Sequence, residues 1–177
     1  MAMSAGAAGF SQGNHNVFVY GSLLSDEVVH VLLNRVPASS PAILPHYQRF
    51  SIKGCVYPAI LPFENSKVLG RVLTGVTNLE LDILDDFEDD EYVRDSVEVT
   101  LVDDSEKMQA YTYVWDNKDD PYLCGDWDFE KWRAAHMNDF IEMTKEYVEE
   151  LEQPESKSRV ETYNSFYRSS DDKSTSA

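Results

Sequence analysis

Cysteine is scarce in this sequence. Cys55 and Cys124 are its two cysteines, and neither belongs to a CxxC pair or lies in a cluster of histidines. A disulfide framework and a structural zinc site both require such spacing. Neither is therefore expected, and both thiols are interpreted as buried or chemically indifferent groups.

Long apolar runs are also missing. No apolar stretch approaches the ~20 residues that a membrane-spanning helix needs. The first residues, MAMSAGAAGFSQGNHN, lack the basic segment and the continuous apolar segment of a secretion signal. The sequence therefore predicts a cytoplasmic protein.

Basic residues are few relative to acidic ones. The chain has 15 Lys and Arg against 32 Asp and Glu, which gives a formal net charge of −17 at pH 7. The average field repels a polyphosphate backbone or an anionic bilayer, so nucleic acid and membrane surfaces are not expected as partners. A small anion is still compatible with this charge, because a local group of backbone N–H donors can bind one carboxylate.

The length and composition indicate one folded domain. The chain has 177 residues, of which 42% are hydrophobic, and this is enough for a sizeable core. Residues 1–15 are rich in Ala, Gly, Ser and Asn, and residues 154–177 are mainly polar and charged. Disordered tails are therefore predicted at 1–15 and 154–177, with the domain at 16–153.

Apolar patterning predicts mostly strands in the first half of this domain. A buried strand at Val17–Tyr20 is followed by a turn at Gly21 and Ser22 and by a short helix that Ser25 caps. Prolines at 41, 45, 58 and 62 mark turns or strand edges. The strand candidates between and after them are Ala42–Leu44, Arg49–Ile52, Val56–Ile60 and Val68–Val76.

The second half is predicted to contain two helices and a hairpin. Thr77 and Glu80 have capping-box spacing and begin a helix that reaches about Phe87. Val93–Val102 and Met108–Trp115 alternate like the two arms of a hairpin. Phe129–Leu151 has the apolar periodicity of a helix.

The first candidate site is the turn at Tyr20, Gly21, Ser22 and Leu23. A chain that leaves a buried strand through a glycine and enters a helix directs several N–H groups outward, which suits a carboxylate. The spacing matches neither a Walker A loop nor a dinucleotide fingerprint, so an ordinary strand-to-helix turn is the alternative. Ser22 could instead be a nucleophile, but the GxSxG elbow is missing.

The second candidate site lies in LELDILDDFEDDEYVR, residues 79–94. EF-hand spacing fails here, so calcium is not expected. Leu81, Leu84 and Glu88 are spaced i, i+3, i+7, which places Glu88 on the apolar face of the helix. Its carboxyl group would be desolvated, with a raised pKa suited to accepting a proton near neutral pH. The alternative is a helix-end acid that is paired with Arg94.

Five segments together resemble the gamma-glutamylcyclotransferase-like superfamily, and within it the plant avirulence-induced-gene-like branch, which is named for expression in defence. They run in the family's order over about residues 17–140, and their combination is far more specific than any one of them. The segments are VFVYGSLL, KGCVYPAI, VLGRVLTGV, LELDILDDFEDDEYVRDSVEV and YVWDNKDDPYLCGDWDFEKW.

The resemblance implies an α+β fold, namely a small closed β-barrel of mixed strands with packed helices. It implies an enzyme that cyclises the γ-glutamyl group of a small substrate to 5-oxoproline, releases an amine and needs no cofactor. Glu88 would be the acid/base. The substrate-binding loop would consist of Tyr20, Gly21, Ser22 and Leu23, with Leu24 and Ser25 just beyond it.

The resemblance leaves some questions open. The leaving amine and the oligomeric state are not specified by it. A non-catalytic, defence-related protein that uses the same pocket for recognition is the alternative function, because a fold by itself does not determine activity.

Overall fold

The structure is a computed structural model that describes residues 13–151 and 157–175, with side chains as far as Arg168. Most of the predicted N-terminal tail, residues 1–12, lies outside the described residues. His15, which was assigned to that tail, is the first residue of a strand. The folded domain therefore begins one residue earlier than predicted.

The described part of the chain contains six strands and four α-helices. The strands are β1 (His15–Val19), β2 (Ser39–Ile52), β3 (Ala59–Val76), β4 (Tyr92–Leu101), β5 (Lys107–Trp115) and β6 (Leu123–Cys124). The helices are α1 (Asp26–Leu33), α2 (Asn78–Glu88), α3 (Phe129–Glu150) and α4 (Arg159–Thr175), with short 3-10 helices at Ser22–Leu24 and Asp89–Glu91. Within the described ranges, no helix is both long and apolar enough to cross a membrane.

Strands β1 to β5 close into a barrel. The order around it is β3-β1-β5-β4-β2, and β2 pairs again with β3 to complete the circle. Strand β1 runs parallel to β5, with Val17 opposite Tyr111, and the other pairings are antiparallel. The short β6 pairs with the end of β2. The predicted closed barrel of mixed strands with packed helices is confirmed.

Strand β1 is buried on both faces, as its uninterrupted apolar run predicts. Phe18 points into the barrel interior, where Leu44, Ile60 and Val72 also pack. Val17 and Val19 belong to the larger core between the barrel and the helices. A strand covered on both sides carries apolar residues at every position rather than at alternate ones.

The predicted helix starts are confirmed by their caps. The Ser25 hydroxyl accepts a hydrogen bond from the Val28 N–H at 3.3 Å. At α2 the capping box is complete: the Glu80 N–H donates to the Thr77 hydroxyl at 3.1 Å, and the Thr77 N–H donates to the Glu80 carboxylate at 3.0 Å. These bonds satisfy N–H groups that have no partner inside the helix.

Strands β2 and β3 are longer than predicted. The candidates on either side of Pro45 form one strand, and the pairing with β3 shifts its register between Pro45 and Tyr47. His46 lies at this shift with a positive φ of 66°. A local bulge lets the chain pass a residue that lacks an N–H without ending the strand.

The predicted C-terminal tail requires correction. Residues 159–175 of the segment assigned to it form α4, and Arg159, Thr162 and Tyr163 in this helix are buried. The Tyr163 ring packs edge-on against Tyr57, with 5.1 Å between ring centroids. Tyr163, Phe166 and Tyr167 are spaced i, i+3, i+4, and this helical stripe was outweighed in the prediction by the polar residues around it.

Removal of residues 154–177 is expected to lower the thermal midpoint, because it uncovers the core around Tyr57. Tyr163→Ala alone should destabilise by about 3–5 kcal/mol, as for other buried aromatic truncations. Asn164→Ala, at an exposed position of the same helix, is the matched control and should stay within about 0.5 kcal/mol. Thermal and urea unfolding followed by circular dichroism measure all three, and a truncated chain that melts like the full chain would contradict the packing role of α4.

Candidate active site

The chain leaves the barrel at the end of β1 and turns at once into a short 3-10 helix. The Leu24 N–H donates to the Gly21 carbonyl at 2.9 Å, and the Ser25 N–H donates to the Ser22 carbonyl at 3.1 Å. The preceding N–H groups, those of Ser22 and Leu23, come too early in the helix to have an acceptor within it. The turn therefore provides donors for a group outside the helix.

The turn and Glu88 line one cavity at this end of the barrel. Four of the six residues predicted to bind substrate are in its wall: Tyr20, Gly21, Ser22 and Leu23. Leu24 and Ser25 are not in its wall. Leu24 packs against the helix-side core, and Ser25 caps α1.

Close packing against Pro58 explains the glycine at position 21. A Cβ atom at this position would lie 2.8 Å from Cδ and 2.9 Å from Cγ of Pro58, and Pro58 also lines the cavity. The glycine therefore lets the turn lie directly against the proline ring.

Glu88 is the last residue of α2, and the ion pair with Arg94 that was its alternative interpretation is not formed. Arg94 instead bonds Asp85, with 2.7 Å between Nη1 and Oδ2. Within the described residues, the Glu88 carboxyl group has neither a hydrogen bond nor an ion pair. Leu81 and Leu84 on the same face are buried, as the periodicity predicts.

Four tyrosines, Tyr20, Tyr57, Tyr92 and Tyr113, share the cavity with Glu88. Each hydroxyl donates to an acceptor other than Glu88. The pairs are Tyr20 to the Tyr113 carbonyl at 2.6 Å, Tyr57 to Glu91 at 2.8 Å, Tyr92 to the Pro58 carbonyl at 2.7 Å and Tyr113 to Asp85 at 2.7 Å. The rings thus supply an apolar lining, and their hydroxyl groups donate to these acceptors rather than to Glu88.

This environment raises the pKa of Glu88 to about 7. Burial is the main cause, since it disfavours the charged form. The nearby Arg159 cation acts in the opposite direction, and Glu91 and Asp85 raise the pKa further. Near neutral pH the carboxyl group can therefore exist in either protonation state, which suits a group that both accepts and returns a proton.

Arg159 is a charged residue of the cavity wall that the sequence patterns do not predict. It enters from α4, and its Nε donates to the Phe87 carbonyl at 2.8 Å. Its Nη2 bonds Glu91 at 2.5 Å, and its guanidinium carbon lies 4.7 Å from the centroid of the Tyr57 ring. One arginine in a mostly polar C-terminal segment carries no local signal of such a role.

The geometry gives little support to a serine nucleophile or to a metal site. None of the four histidines lines the cavity, so Ser22 has no imidazole base there. Across the described residues, no group of three or more His, Cys, Asp or Glu side chains is arranged to hold a metal ion.

Comparison with known proteins matches residues 17–129 to the family described as gamma-glutamyl cyclotransferase, AIG2-like. The chain is 58% identical over 143 residues to AIG2-like protein D of Arabidopsis thaliana, covering 80% of this chain and 94% of that protein. It is 53% identical over 154 residues to AIG2-like protein C of the same plant, covering 87% and 90%. A solution structure of another Arabidopsis thaliana protein superposes with a TM-score of 0.62 at 46% identity, covering 80% of this chain and 95% of that one.

Gly21→Ala is expected to destabilise the protein by about 1–3 kcal/mol, because the added methyl group overpacks against Pro58. Pro58→Ala should make room for it, so the double variant should be more stable than the sum of the two single effects. Urea unfolding of the parent, both single variants and the double variant measures the coupling. Strictly additive effects would show that the two residues do not constrain each other.

The raised pKa of Glu88 predicts a pH-dependent stability difference between the parent and Glu88→Gln. Burial favours the protonated form of Glu88 in the folded state. Its contribution to the stability of the fold is therefore complete below the ordinary pKa of 4.5 and is lost as the pH rises through about 7. Glu88→Gln avoids this loss and should therefore gain thermal midpoint relative to the parent between pH 5 and pH 8.5.

Asp82→Asn, at an exposed position of the same helix, controls for the removal of an acidic group. Its difference from the parent should change little between these two pH values. Scanning calorimetry of the three proteins at both pH values measures the effect. A midpoint difference for Glu88→Gln that is constant with pH would contradict a raised pKa.

Proposed function

This chain belongs to the gamma-glutamyl cyclotransferase, AIG2-like family, and we propose that it is an active γ-glutamylcyclotransferase. Its substrates are small molecules with a γ-glutamyl group in amide linkage to an amine or amino acid. The observation that carries the proposal is the Glu88 carboxyl group, which faces the same cavity as the 20–23 turn, has no partner among the described residues and has a pKa of about 7.

The reaction is an intramolecular aminolysis. The α-amine of the glutamyl group attacks the γ-carbonyl carbon, a new C–N bond closes the five-membered ring, and the original amide C–N bond breaks. The products are 5-oxoproline and the free amine. The reaction consumes no co-reactant and needs no cofactor.

Glu88 moves the proton in this reaction. An α-ammonium group has no lone pair with which to attack, so the ionised Glu88 carboxylate removes a proton from it. The same carboxyl group then protonates the departing amine nitrogen, which restores Glu88 to its ionised form. The ring nitrogen still carries two protons after the attack, and Glu88 passes the second of them to the released amine, which leaves as an ammonium ion. A pKa near 7 suits both transfers, because neither protonation state is then strongly favoured.

The turn holds the substrate in the reactive conformation. Its early N–H groups bind the α-carboxylate of the glutamyl head, and the apolar walls force the flexible chain to bend until amine and carbonyl meet. Positioning of this kind can contribute several kcal/mol to the rate. N–H groups near the reacting carbonyl also stabilise the charge that develops on its oxygen.

Glu88→Gln tests the assignment most directly, because it keeps the shape of the side chain and removes the proton acceptor. We expect kcat for 5-oxoproline release to fall by about 10²- to 10⁴-fold, as for other general acid/base groups, with KM little changed. Release from a panel of γ-glutamyl amino acids, amines and peptides is the measurement.

Asp86→Asn is the control, since Asp86 is exposed and absent from the cavity wall. Asp89 is unsuitable as a second control, because its carboxylate accepts the Val160 N–H at 3.0 Å and so anchors α4. If Glu88→Gln keeps parental turnover, the catalytic role is refuted. If the parent binds these compounds in calorimetry but never releases 5-oxoproline, the non-catalytic alternative replaces the enzyme.

A further inference from the structure

Arg159 brings a second group able to bind an anion to the cavity. It is the first residue of α4, its exposed fraction is 3%, and it lines the cavity together with Glu88 and the 20–23 turn. A buried N–H donor that has no acceptor costs free energy. The partner of each guanidinium nitrogen therefore shows which part of Arg159 has a structural role.

One edge of the guanidinium group is fully used. Nε donates to the Phe87 carbonyl at 2.8 Å. Nη2 donates to Glu91 at 2.5 Å and lies 3.4 Å from the Glu88 carbonyl. These bonds anchor α4 to the end of α2, where helix carbonyls lack partners and a cation is favoured.

The other nitrogen, Nη1, is not used by this anchor. It is buried, and it has no hydrogen-bond partner among the described residues. The Tyr57 ring lies 4.7 Å from the guanidinium carbon, and although the two polar groups interact, Tyr57 forms no hydrogen bond of normal geometry with Nη1. A structural role thus explains Nε and Nη2 and leaves Nη1 without an acceptor among the described residues.

A carboxylate is the acceptor that best fits a charged guanidinium group. The turn and Arg159 are also separate binding groups: the contacts of the guanidinium group, as far as the chain is described, are with residues 57, 87, 88, 91 and 163 and none is with the turn. A substrate held by both would carry two carboxylates, one on each side of the bond that breaks.

We propose that Arg159 binds, through Nη1, the carboxylate of the leaving amino acid, so that this protein selects γ-glutamyl-amino acids over γ-glutamyl-amines. The inference rests on the proposed function in assigning the head carboxylate to the turn. The leaving nitrogen must approach Glu88 to receive its proton, and an α-amino acid carries its carboxylate one carbon away from that nitrogen. Arg159 lies beside Glu88 and is placed to receive it.

Two ligands that differ by one carboxylate test this. γ-Glutamyl-alanine and γ-glutamyl-ethylamine share the head and the scissile amide, and ethylamine is alanine without its carboxylate. In the full-length parent, we expect kcat/KM for 5-oxoproline release to favour γ-glutamyl-alanine by about 10- to 100-fold, the range typical of a charge-assisted hydrogen bond.

Arg159→Lys should reduce this preference to less than about 3-fold, because it raises KM for γ-glutamyl-alanine much more than it raises KM for γ-glutamyl-ethylamine. Lysine keeps the charge opposite Glu91 and so preserves the anchor of α4. Arg94→Gln is the matched control, because Arg94, like Arg159, forms an ion pair with an acidic side chain and stacks on a tyrosine but does not line the cavity. The preference should survive in this variant.

Equal losses on both ligands would assign Arg159 a structural role only and overturn the inference, as would a parent that shows no preference. Calorimetric binding of both ligands to the parent and to Arg159→Lys separates this result from a failure of the proposed function. If no 5-oxoproline is released, but γ-glutamyl-alanine still binds at least 10-fold more tightly in an Arg159-dependent manner, catalysis is refuted and the binding role stands. If both ligands turn over equally well, the enzyme stands and the role of Arg159 is refuted.

Discussion

Keeping a carboxyl group ionised inside an apolar cavity costs free energy. The properties of this site depend on that cost at one residue, Glu88. Helix α2 carries Leu81, Leu84 and Phe87 into the core, and its last residue follows them into the cavity. Burial raises the pKa to about 7, where the cost of removing the proton and the cost of keeping it are nearly balanced. A more solvated carboxyl group would be a weaker base, and one with a fixed cation would hold its negative charge.

The neighbouring acids show how Glu88 is kept without a partner. Asp85 is bonded by Arg94 and by the Tyr113 hydroxyl, and Glu91 is bonded by Arg159 and by the Tyr57 hydroxyl. Each of these two carboxylates thus has a cation and a phenol as partners. They flank the unpaired Glu88, and their negative charges add to the rise of its pKa. Of these three acids, the one without a partner is the one that lines the cavity.

Sequence patterns within single elements predict many of the helices and strands. The features that they do not predict depend on contacts between residues far apart in the chain. The caps at Ser25 and Thr77, the hairpin of β4 and β5 and the inward face of α2 each depend on residues close in sequence, and spacing alone indicates them. Closure of the barrel depends on pairing β1 with β5 and β2 with β3, and it entered the prediction through resemblance to a family. Arg159 reaches Phe87 and Glu91 across about seventy residues of chain, and nothing in the polar segment around it reports those contacts.

The guanidinium group of Arg159 both anchors α4 and lines the cavity. The cavity wall is therefore complete when α4 is packed against the domain. If α4 were displaced, Glu88 would lose the Arg159 cation, which by itself would raise its pKa, and would gain water, which would lower it. Burial and the arginine act on this pKa in opposite directions. The helix therefore affects the chemistry of Glu88 in two ways, by bringing a cation near it and by excluding water from it.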